Sequence, residues 1–439
     1  MKDFGVFSKF QIAIDCQIFS GNMRIQVSQR SRFWFGLFLL GSVYITIVIF
    51  KAENFLAGDE RGYLAIAKEL SRGRLSSVNW WGPGYPLLLA PFIKFEIPLI
   101  WAKLCNVAFL LCTIVYLRSS MLLYMTKRCS TRIALIMGMY LPFFFYLHMN
   151  ISEKFAVFLM SAIVFHYLAS QKGGKKRWKH LILSSVLLAW LALTKVFFGY
   201  VITASTCLLL IVRLVYRCKA RESIFILITA FLLCVPYLWN NYNLTKKVFY
   251  WSTSGGSSLY WISTPFTGET GSWFGRKELE ENVPVHKEHY LLFNSLASLT
   301  PVERDEILKH KALQNIRKKP LKFLSNVTSN ILRLLFDFPY DFHRQTWKTS
   351  WVVVPNAFLL TLFFTSLYPA YVARRSIPSE LFSILGFAAI AFIGSSFLSA
   401  YNRMFTILVP IICVWTAYVW TRLVRLDIVD SDRLMSNNE

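Results

Sequence analysis

The sequence predicts an all-α, polytopic membrane protein with about ten transmembrane helices. Hydrophobic residues fill 55% of its 439 positions, and the mean hydropathy of +0.44 is too high for a water-soluble chain of this length. Apolar runs of about 20 residues, the length that crosses a bilayer as a helix, recur along the chain. Basic residues are concentrated in the segments between alternate runs, which is the pattern of cytoplasmic loops.

Ten apolar runs are long enough, or nearly so, to cross a bilayer. With a cytoplasmic N-terminus, every short cytoplasmic loop is basic and the opposite turns carry at most one basic residue each, so one orientation satisfies the positive-inside rule. The short run at 181–194 adjoins the next one closely, and the two also fit a broken helical hairpin. The runs occupy residues 33–50, 98–117, 133–149, 155–170, 181–194, 196–215, 223–239, 352–372, 380–398 and 404–421.

These runs divide the chain into five parts. The first part is read as a cytoplasmic lead into a retained signal anchor, because no compact apolar region with a cleavage site lies near its start. The second part is a transmembrane module that includes an outer loop, and the third is a larger segment on the same outer side. The parts are the lead (1–32), the module (33–239) with its outer loop (51–97), the outer segment (240–351), the last spans (352–421) and a cytoplasmic tail (422–439).

The net charge of +24 does not indicate a nucleic-acid-binding protein, because the basic residues flank apolar runs instead of covering water-exposed faces. The eight cysteines show no Cys-x-x-Cys spacing, so the sequence predicts neither a disulfide framework nor a common zinc site. His286 and His289 have the spacing of half a metal site, although histidines in a polar loop are more often solvated. No nucleotide-binding motif is present, so a soluble activated-nucleotide donor is not expected.

The outer segment is predicted to contain two helices. Thr300 is a helix N-cap, Pro301 suits the first helical position, and Glu303 completes a capping box. The helix should run to about Lys318, because Pro320 stops it. The apolar stretch 321–336 predicts a second helix that reclines on the bilayer or dips into it.

The outer loop carries the strongest candidates for chemistry. Asp59 and Glu60 follow the first span closely, which places two carboxylates beside the bilayer surface. Residues 61–72 have the spacing of an amphipathic helix in the plane of the interface, and Gly73 should end it. Its predicted apolar face consists of Leu64, Ala67 and Leu70.

Aromatic residues and prolines follow this helix. Trp80 and Trp81 are amphipathic rings suited to headgroup depth. The motif Gly-Pro-Gly-Tyr-Pro at 82–86 predicts a non-helical path back to the membrane. The loop therefore gathers acidic, aromatic and basic side chains in one place.

Asp59 has a structural and a functional interpretation. Aspartate is favoured as a helix N-cap, and a helix is predicted to start directly after it. An acid next to a span, a second acid and an aromatic loop is also well placed to take a proton from a hydroxyl group. The two interpretations are compatible.

Three more charged residues are predicted at the outer membrane surface. Glu153 lies in a short outer turn, Lys195 lies between the fifth and sixth spans, and Arg403 precedes the last span. Each can simply form an ion pair or extend to the interface. Together on one side they indicate a functional site, because ionisable groups at membrane depth are functional candidates. The guanidinium of Arg403 suits bidentate phosphate binding.

With these motifs, the chain resembles the C-type membrane glycosyltransferases, the superfamily that includes protein O-mannosyltransferases and the aminoarabinose transferase that modifies lipid A. The order and spacing of the motifs, which cover nearly the whole chain, are more specific than any single motif. They are Gly58-Asp59-Glu60 with Tyr63, Ala67 and Gly73; Gly82-Pro83-Gly84-Tyr85-Pro86; Ser152-Glu153; Leu193-Thr194-Lys195; Asn241-Tyr242 with Ser254-Gly255-Gly256; the Glu303 to Pro320 helix; and Tyr401-Asn402-Arg403.

The resemblance implies inverting transfer of one sugar from a polyprenyl-phosphate donor to an acceptor on the non-cytoplasmic face. The acceptor is a glycan, a lipid or a protein. Asp59 is implied as the general base, with Glu60 as its support. Lys195 and Arg403 are implied to neutralise the departing lipid phosphate. The residues implied to position the sugar or acceptor are Tyr63, Trp80, Trp81, Tyr85 and Glu153.

The chain departs from the family pattern at one position. Relatives often have Arg-Asn where the outer segment begins, and this chain has Asn240-Asn241. A phosphate contact is then missing, or is supplied by Arg61 or Arg276. No cofactor is implied; a divalent metal ion is compatible with Asp59 and Glu60, although no ligand spacing requires one.

A transporter or flippase of a lipid-linked saccharide is the main alternative, and an inactive scaffold is a third. The predicted spans split seven and three around the outer segment, and the long loops lie on one face. This asymmetry favours an enzyme that works at one surface over the matched halves of a transporter. The expected location is the plasma membrane of a bacterium, with the site facing the periplasm or the exterior.

Overall fold

A computed structural model describes residues 29–51, 58–75, 77–216, 220–281, 283–341 and 346–424. These residues form α-helices and two short 3-10 turns, so the all-α prediction is confirmed. Residues 1–28 of the predicted lead, residues 425–439 of the predicted tail and the side chain of Arg276 lie outside the described part.

The helices follow one another along the described chain. The first nine are α1 (Gln29–Phe50), α2 (Glu60–Ser71), α3 (Gly84–Lys94), α4 (Leu99–Leu122), α5 (Lys127–Gly138), α6 (Glu153–Gln171), α7 (Arg177–Thr194), α8 (Phe197–Tyr216) and α9 (Arg221–Thr245). The others are α10 (Gly255–Ile262), α11 (Arg276–Glu281), α12 (Val283–Ser295), α13 (Pro301–Lys318), α14 (Pro320–Phe336), α15 (Ser350–Val372), α16 (Ser379–Ser396), α17 (Asn402–Thr406) and α18 (Val409–Arg422).

Seven helices of the described residues are long and apolar enough to cross a membrane, namely α1, α4, α6, α8, α9, α15 and α16. The chain is therefore an integral membrane protein. The predicted spans at 181–194 and 404–421 correspond to α7, whose first turn carries Arg177 and Lys179, and to the consecutive helices α17 and α18. The predicted count of ten spans stays a prediction.

The predicted span at 133–149 is not one helix. Helix α5 ends at Gly138 and is followed by a 3-10 turn that contains Pro142. Proline lacks an amide hydrogen and disfavours helical geometry in the residue before it, so the apolar run turns instead of continuing. The side-chain amide of Asn106 on α4 donates to the carbonyl oxygen of Met149 (2.8 Å) and stabilises the end of this turn.

The amphipathic helix of the outer loop forms close to its predicted position, as α2. Gly73 has a φ of +72°, which confirms it as the helix end. The predicted apolar face is only partly right, because Leu64 and Leu70 are half-buried. Helix α2 packs against α3, and this contact buries a different set of α2 residues. The buried residues of α2 are Glu60, Tyr63, Ile66 and Ala67.

The predicted non-helical path at 82–86 is wrong from Gly84 onward, where α3 begins. Proline is tolerated in the first turn of a helix, because amide groups there have no intrahelical acceptor. The two glycines of the motif allow close packing on the end of α7. A Cβ atom on Gly82 would lie 2.0 Å from the carbonyl oxygen of Leu193, and one on Gly84 would lie 2.6 Å from the amide nitrogen of Thr194.

The outer segment contains the helices predicted for it. The hydroxyl of Thr300 accepts a hydrogen bond from the amide of Glu303, and the Glu303 side chain accepts one from the amide of Thr300, which confirms the capping box at the start of α13. Helix α14 follows at Pro320. Its exposed face carries Leu321 and Leu324.

His286 and His289 are buried, so the expectation of solvated histidines is wrong. Nε2 of His289 lies 3.0 Å from the carboxylate of Glu269, and its Nδ1 lies 2.7 Å from the hydroxyl of Tyr260. Within the described residues, no group of three or more metal-ligating side chains is placed to hold a metal ion. The histidines belong to a small core formed with Tyr260, Trp261, Phe274, Leu279, Leu296, Leu308 and Ala312.

Candidate active site

Four charged side chains meet beside the outer loop. Asp59 precedes α2, Glu153 begins α6, Lys195 follows α7 and Arg403 lies in α17. Nη1 of Arg403 lies 2.7 Å from Oδ2 of Asp59 and 3.2 Å from Oε1 of Glu153. Nζ of Lys195 lies 2.8 Å from the same Glu153 oxygen. The four charges that the sequence places separately at the outer surface therefore form one connected cluster of alternating sign.

Asp59 is the accessible acid of this cluster. Its side chain makes no capping hydrogen bond to α2, so the N-cap interpretation is wrong for the carboxylate, which contacts Arg403 instead. The Asp59 side chain is 27% exposed, whereas that of Glu153 is 3% exposed. Burial on its own lowers the pKa of Arg403, but the carboxylates of Glu153 and Asp59 raise it by more, so the guanidinium stays charged.

The start of α17 is held in place by buried asparagines. The side-chain amide of Asn330 on α14 donates to the carbonyl oxygen of Leu398 (2.7 Å), and its oxygen accepts from the amide of Ala400 (3.1 Å). The side-chain amide of Asn402 donates to the carbonyl oxygen of Leu334 (2.9 Å). These bonds fix the backbone on either side of Tyr401 and thereby the position of the following arginine.

Glu60 and Tyr63 connect α2 to the start of α6. The buried carboxylate of Glu60 accepts a hydrogen bond from the amide of Asn150 (2.7 Å). The hydroxyl of Tyr63 lies 2.7 Å from Oγ of Ser152. Glu60 thus contacts the turn that precedes Glu153 and supports the cluster through the backbone.

A cavity of about 560 Å³ lies on one side of the Asp59–Arg403 ion pair, and we call it the aromatic cavity. Trp80, Trp81 and Lys195 line it. Trp81 packs flat across α2 at Gly62, where a Cβ atom would lie 1.9 Å from its ring. The wall also includes Tyr63, Phe197, Tyr200, Ser252, Ser254, Ser258, Trp273 and Ser399.

A second cavity, of about 480 Å³, lies on the other side of the same ion pair, and we call it the cationic cavity. Asp59, Tyr401 and Arg403 line both cavities. Tyr146, in the wall of the cationic cavity, is exposed, and so is Trp351 in the first turn of α15. Trp351 packs against Phe145, another residue of the wall, so exposed aromatic rings lie beside this cavity. Its wall also includes Met149, Glu153, Lys154, Asp337, Tyr340, Val352 and Thr406.

Lys154 is a functional candidate that the sequence reasoning missed. It is 2% exposed and lines the cationic cavity, and its ammonium group makes no hydrogen bond or ion pair with any described residue. A buried ammonium group without a hydrogen-bond acceptor is unfavourable, so Lys154 is available to an anion in this cavity, which Asp59, Glu153 and Asp337 also line. The feature of the sequence that pointed to Lys154 was its position directly after Glu153. Sequence alone does not separate a buried lysine from one that extends to the bilayer surface.

Two of the predicted contact residues, Tyr85 and Arg61, line neither cavity. Tyr85 is buried and packs edge-on against Tyr63, with ring centroids 5.2 Å apart, so it supports the cavity wall and is not placed to contact a sugar. Arg61 is exposed on α2 and lines neither cavity, so its predicted phosphate contact has no geometric support. The side chain of Arg276 is not described. Lys195 lines the aromatic cavity, but its ammonium group is already paired with Glu153.

Solved structures share this fold, although no protein-family model and no curated protein sequence matches the chain. The oligosaccharyltransferase AglB from Archaeoglobus fulgidus, in complex with an inhibitory peptide and a dolichol-phosphate, has a TM-score of 0.50 at 10% identity; the match covers 93% of this chain and 54% of that chain. The A. fulgidus oligosaccharyltransferase tethered to an acceptor peptide has a TM-score of 0.51 at 12% identity, covering 89% of this chain and 49% of that chain.

ArnT from Cupriavidus metallidurans in the apo state overlaps less, with a TM-score of 0.42 at 13% identity over 89% of this chain and 77% of that chain. The present chain spans about half the length of the oligosaccharyltransferase structures that it matches. The chain thus shares its fold with the oligosaccharyltransferase structures.

Proposed function

We propose that this chain is a membrane glycosyltransferase that moves one sugar from a polyprenyl-phosphate donor to an acceptor hydroxyl, with inversion at the anomeric carbon. The observation that carries the proposal is the Asp59–Arg403 ion pair, which is a wall common to two cavities of different chemistry. A transferase must hold two substrates on either side of one reacting centre. The shared fold with a structure that holds dolichol-phosphate supports the donor class.

The donor phosphate is assigned to the cationic cavity. Lys154 supplies an ammonium group that makes no hydrogen bond or ion pair with a described residue, and Arg403 supplies a guanidinium. Both stabilise negative charge on the phosphate as the bond to the sugar breaks, which is usually the largest catalytic term. The exposed aromatic rings beside this cavity suit a prenyl chain that lies in the bilayer. Lys195 holds Glu153 in place in this scheme, whereas the resemblance implied a direct phosphate contact.

The acceptor is assigned to the aromatic cavity. Oδ2 of Asp59 is held by Arg403, and its Oδ1 makes no hydrogen bond with any described residue. Oδ1 takes the proton of the acceptor hydroxyl, the hydroxyl oxygen bonds to the anomeric carbon, and the phosphate leaves with the electron pair of the broken bond. Attack from the side opposite the phosphate inverts the anomeric carbon.

A metal ion bridging Asp59 and Glu60 has less support, because Asp59 is paired with Arg403 and Glu60 accepts from the amide of Asn150. The location proposed for the site is the periplasmic or exterior face of a bacterial plasma membrane, on the basis of the basic cytoplasmic loops.

Asp59→Asn tests the proposal, because asparagine keeps the shape of the side chain but does not accept a proton. We expect sugar transfer from a radiolabelled polyprenyl-phosphate donor, in nanodiscs supplied with envelope extract, to fall by about 10²- to 10⁴-fold. Donor binding, measured by native mass spectrometry, should remain. The matched control is Glu306→Gln, which removes an exposed acid paired with Lys247 and should keep full activity.

Full transfer activity in Asp59→Asn would overturn the proposed role of the base. A transporter or flippase of a lipid-linked saccharide would keep its transport activity in this variant and would release no free lipid phosphate. Measuring both transport and release therefore separates the enzyme from this alternative.

A further inference from the structure

A third cavity adjoins the aromatic cavity, and we call it the side pocket. It has a volume of about 300 Å³, at the lower end of the range for small-molecule pockets, so it suits one ring and not a long chain. Trp80 and Trp273 line both the side pocket and the aromatic cavity. Their ring centroids are 5.2 Å apart in an edge-to-face contact, so the pair forms the boundary between the two spaces.

The side pocket contains polar groups that have no partner. Ser257 is 4% exposed, yet its hydroxyl bonds to no described residue. The hydroxyl of the half-buried Tyr290 and the side-chain amide of the exposed Asn294 also bond to no described residue. Nε of Arg304 is buried and has no hydrogen-bond partner in the part of the chain that the structure describes, although Nη2 contacts backbone carbonyls. Buried polar groups are normally paired in proteins, so the Ser257 hydroxyl and Nε of Arg304 suit a polar ligand, and Tyr290 and Asn294 are placed to add hydrogen bonds at the rim of the pocket.

Aromatic side chains form the rest of the pocket. Phe274 and Phe293 line it together with the two boundary tryptophans. A sugar ring has an apolar face of C–H groups and a rim of hydroxyls, so it satisfies the rings and the unpaired polar groups at once. A purely apolar side chain of a peptide would leave the polar groups unpaired. Arg304 is accompanied by the carboxylate of Glu280, so the pocket has no excess charge to attract a phosphate.

We propose that the side pocket is a subsite for a sugar of the acceptor, and that the acceptor is a neutral saccharide of at least two units. This inference rests on the proposed function. The unit that receives the new sugar lies beside Asp59 in the aromatic cavity. The neighbouring unit passes the Trp80–Trp273 boundary and binds in the side pocket.

Photo-crosslinking in cells of the organism that carries the gene tests this inference on the full chain. We use Asn294→p-benzoylphenylalanine at the rim of the side pocket, and Lys311→p-benzoylphenylalanine, on the exposed face of α13, as the control. A third variant, Tyr146→p-benzoylphenylalanine, reports on the cationic cavity. After irradiation, mass spectrometry and glycosidase treatment identify each adduct, and size-exclusion profiles check that each variant is folded.

We expect a carbohydrate adduct at position 294, none at 311, and a polyprenyl adduct at 146. A peptide adduct, a lipid adduct or no adduct at 294, with the polyprenyl adduct still present at 146, would overturn the saccharide subsite and leave the proposed function intact. Absence of a polyprenyl adduct at 146 in a folded variant would count against the proposed function itself.

Kinetics with the saccharide recovered from the adduct provide the second readout. Tyr290→Phe and Asn294→Ala should each raise the KM for that acceptor by about 3- to 10-fold, the effect of one lost hydrogen bond, and leave the KM for the donor unchanged. An acceptor trimmed to one unit should respond to neither variant. Ser295→Ala, next to the pocket on α12, should change nothing, since its hydroxyl bonds to the carbonyl oxygen of Leu292. Equal effects on long and trimmed acceptors would overturn the subsite.

Discussion

Two lysines of the site have opposite environments. Lys195 is paired with Glu153 at 2.8 Å, whereas Lys154 lines the cationic cavity without a partner among the described residues. A paired buried charge contributes to stability, because removing one partner leaves the other uncompensated. An unpaired buried charge makes no such contribution to stability. The two residues therefore separate structural support from ligand binding.

Lys154→Met should weaken donor binding without loss of stability. A hydrogen bond to a charged group contributes about 1.5–3 kcal/mol, so the Kd for a polyprenyl phosphate should rise by about 10- to 100-fold. The Tm should stay constant or increase, because the substitution removes a buried, unpaired charge. Native mass spectrometry and differential scanning fluorimetry measure the two quantities.

Lys195→Met is the matched comparison, and we expect it to lower stability more than donor affinity. It leaves Glu153 with Arg403 as its one remaining partner among the described residues, and breaking a buried ion pair costs roughly 3–5 kcal/mol, so the Tm should fall. If the two variants lost the same stability, the distinction between the lysines would be wrong.

The sequence was sufficient to identify Asp59, Glu153, Lys195 and Arg403, since charges at the edges of apolar runs are conspicuous. It did not predict that Lys154 is buried. It also did not show that Tyr85, which the resemblance implied as a substrate contact, is buried. Both errors concern burial, which depends on neighbours from distant parts of the chain.

Among the elements, the junction of α3 with α7 positions the outer loop. Gly84→Ala should destabilise the protein by about 1–3 kcal/mol and reduce activity, because the new Cβ would lie 2.6 Å from the backbone nitrogen of Thr194, which cannot move without shifting α7. Gly386→Ala in α16 is the control: beyond its own stretch of helix, no atom of the described residues lies within 4 Å of its Cβ position. Alanine is favoured there, so the Tm should stay the same or rise. Thermal unfolding in detergent measures both.

The small core of the outer segment should weaken in acid. Burial raises the pKa of Glu269, but the hydrogen bond and charge of His289, with Thr264 and His286, lower it by more, so the net pKa is below the usual value. A carboxylate whose pKa is lower in the folded state stabilises the fold at pH values above its unfolded pKa of about 4.3. This contribution is lost as the pH falls through the folded-state pKa. The protection factors of the α12 amides, which correct for the slower intrinsic exchange in acid, should therefore fall below about pH 4.3.

Glu269→Gln tests the cause of this acid response. The variant has no carboxylate to protonate, so exchange of α12 should respond less to acid than in the unchanged protein. Constant protection of α12 in the unchanged protein down to pH 3 would contradict the assignment.

Helices with local signals were the most predictable elements. The start of α13 follows from Thr300, Pro301 and Glu303, which cap it through contacts within one turn. Helix α3 was missed because glycine and proline at 82–86 favour a turn locally, and packing on α7 decides otherwise. The run at 133–149 was misjudged because apolar composition does not reveal the break at Pro142.

For the whole molecule, orientation in the membrane is the most direct test. In a variant without native cysteines, Lys311→Cys on α13 should react with an impermeant maleimide added to intact cells. Lys175→Cys, in the exposed turn between α6 and α7, should react after permeabilisation alone, because this basic turn is predicted to be cytoplasmic. The opposite labelling pattern would place the candidate site on the cytoplasmic side.

The fold class was predictable because apolar composition and charge distribution are properties of the whole chain. The two cavities were not, because they depend on contacts between distant residues. Asp59 and Arg403 are 344 positions apart, and no local pattern in the sequence relates them. The resemblance to a family implied that the two residues belong to one site. Their direct contact is seen in the structure.

The charge cluster has a consequence for turnover. Lys154 and Arg403 line the cationic cavity, and Lys154 makes no ion pair with a described residue, so both cations are placed to contact the phosphate of the carrier. A lipid-linked sugar phosphodiester has a single negative charge, whereas the phosphomonoester left after transfer carries about −1.5 to −2 at pH 7. The site should therefore hold its spent carrier more tightly than the loaded one. We expect strong product inhibition, with departure of the used lipid and not bond formation limiting the rate.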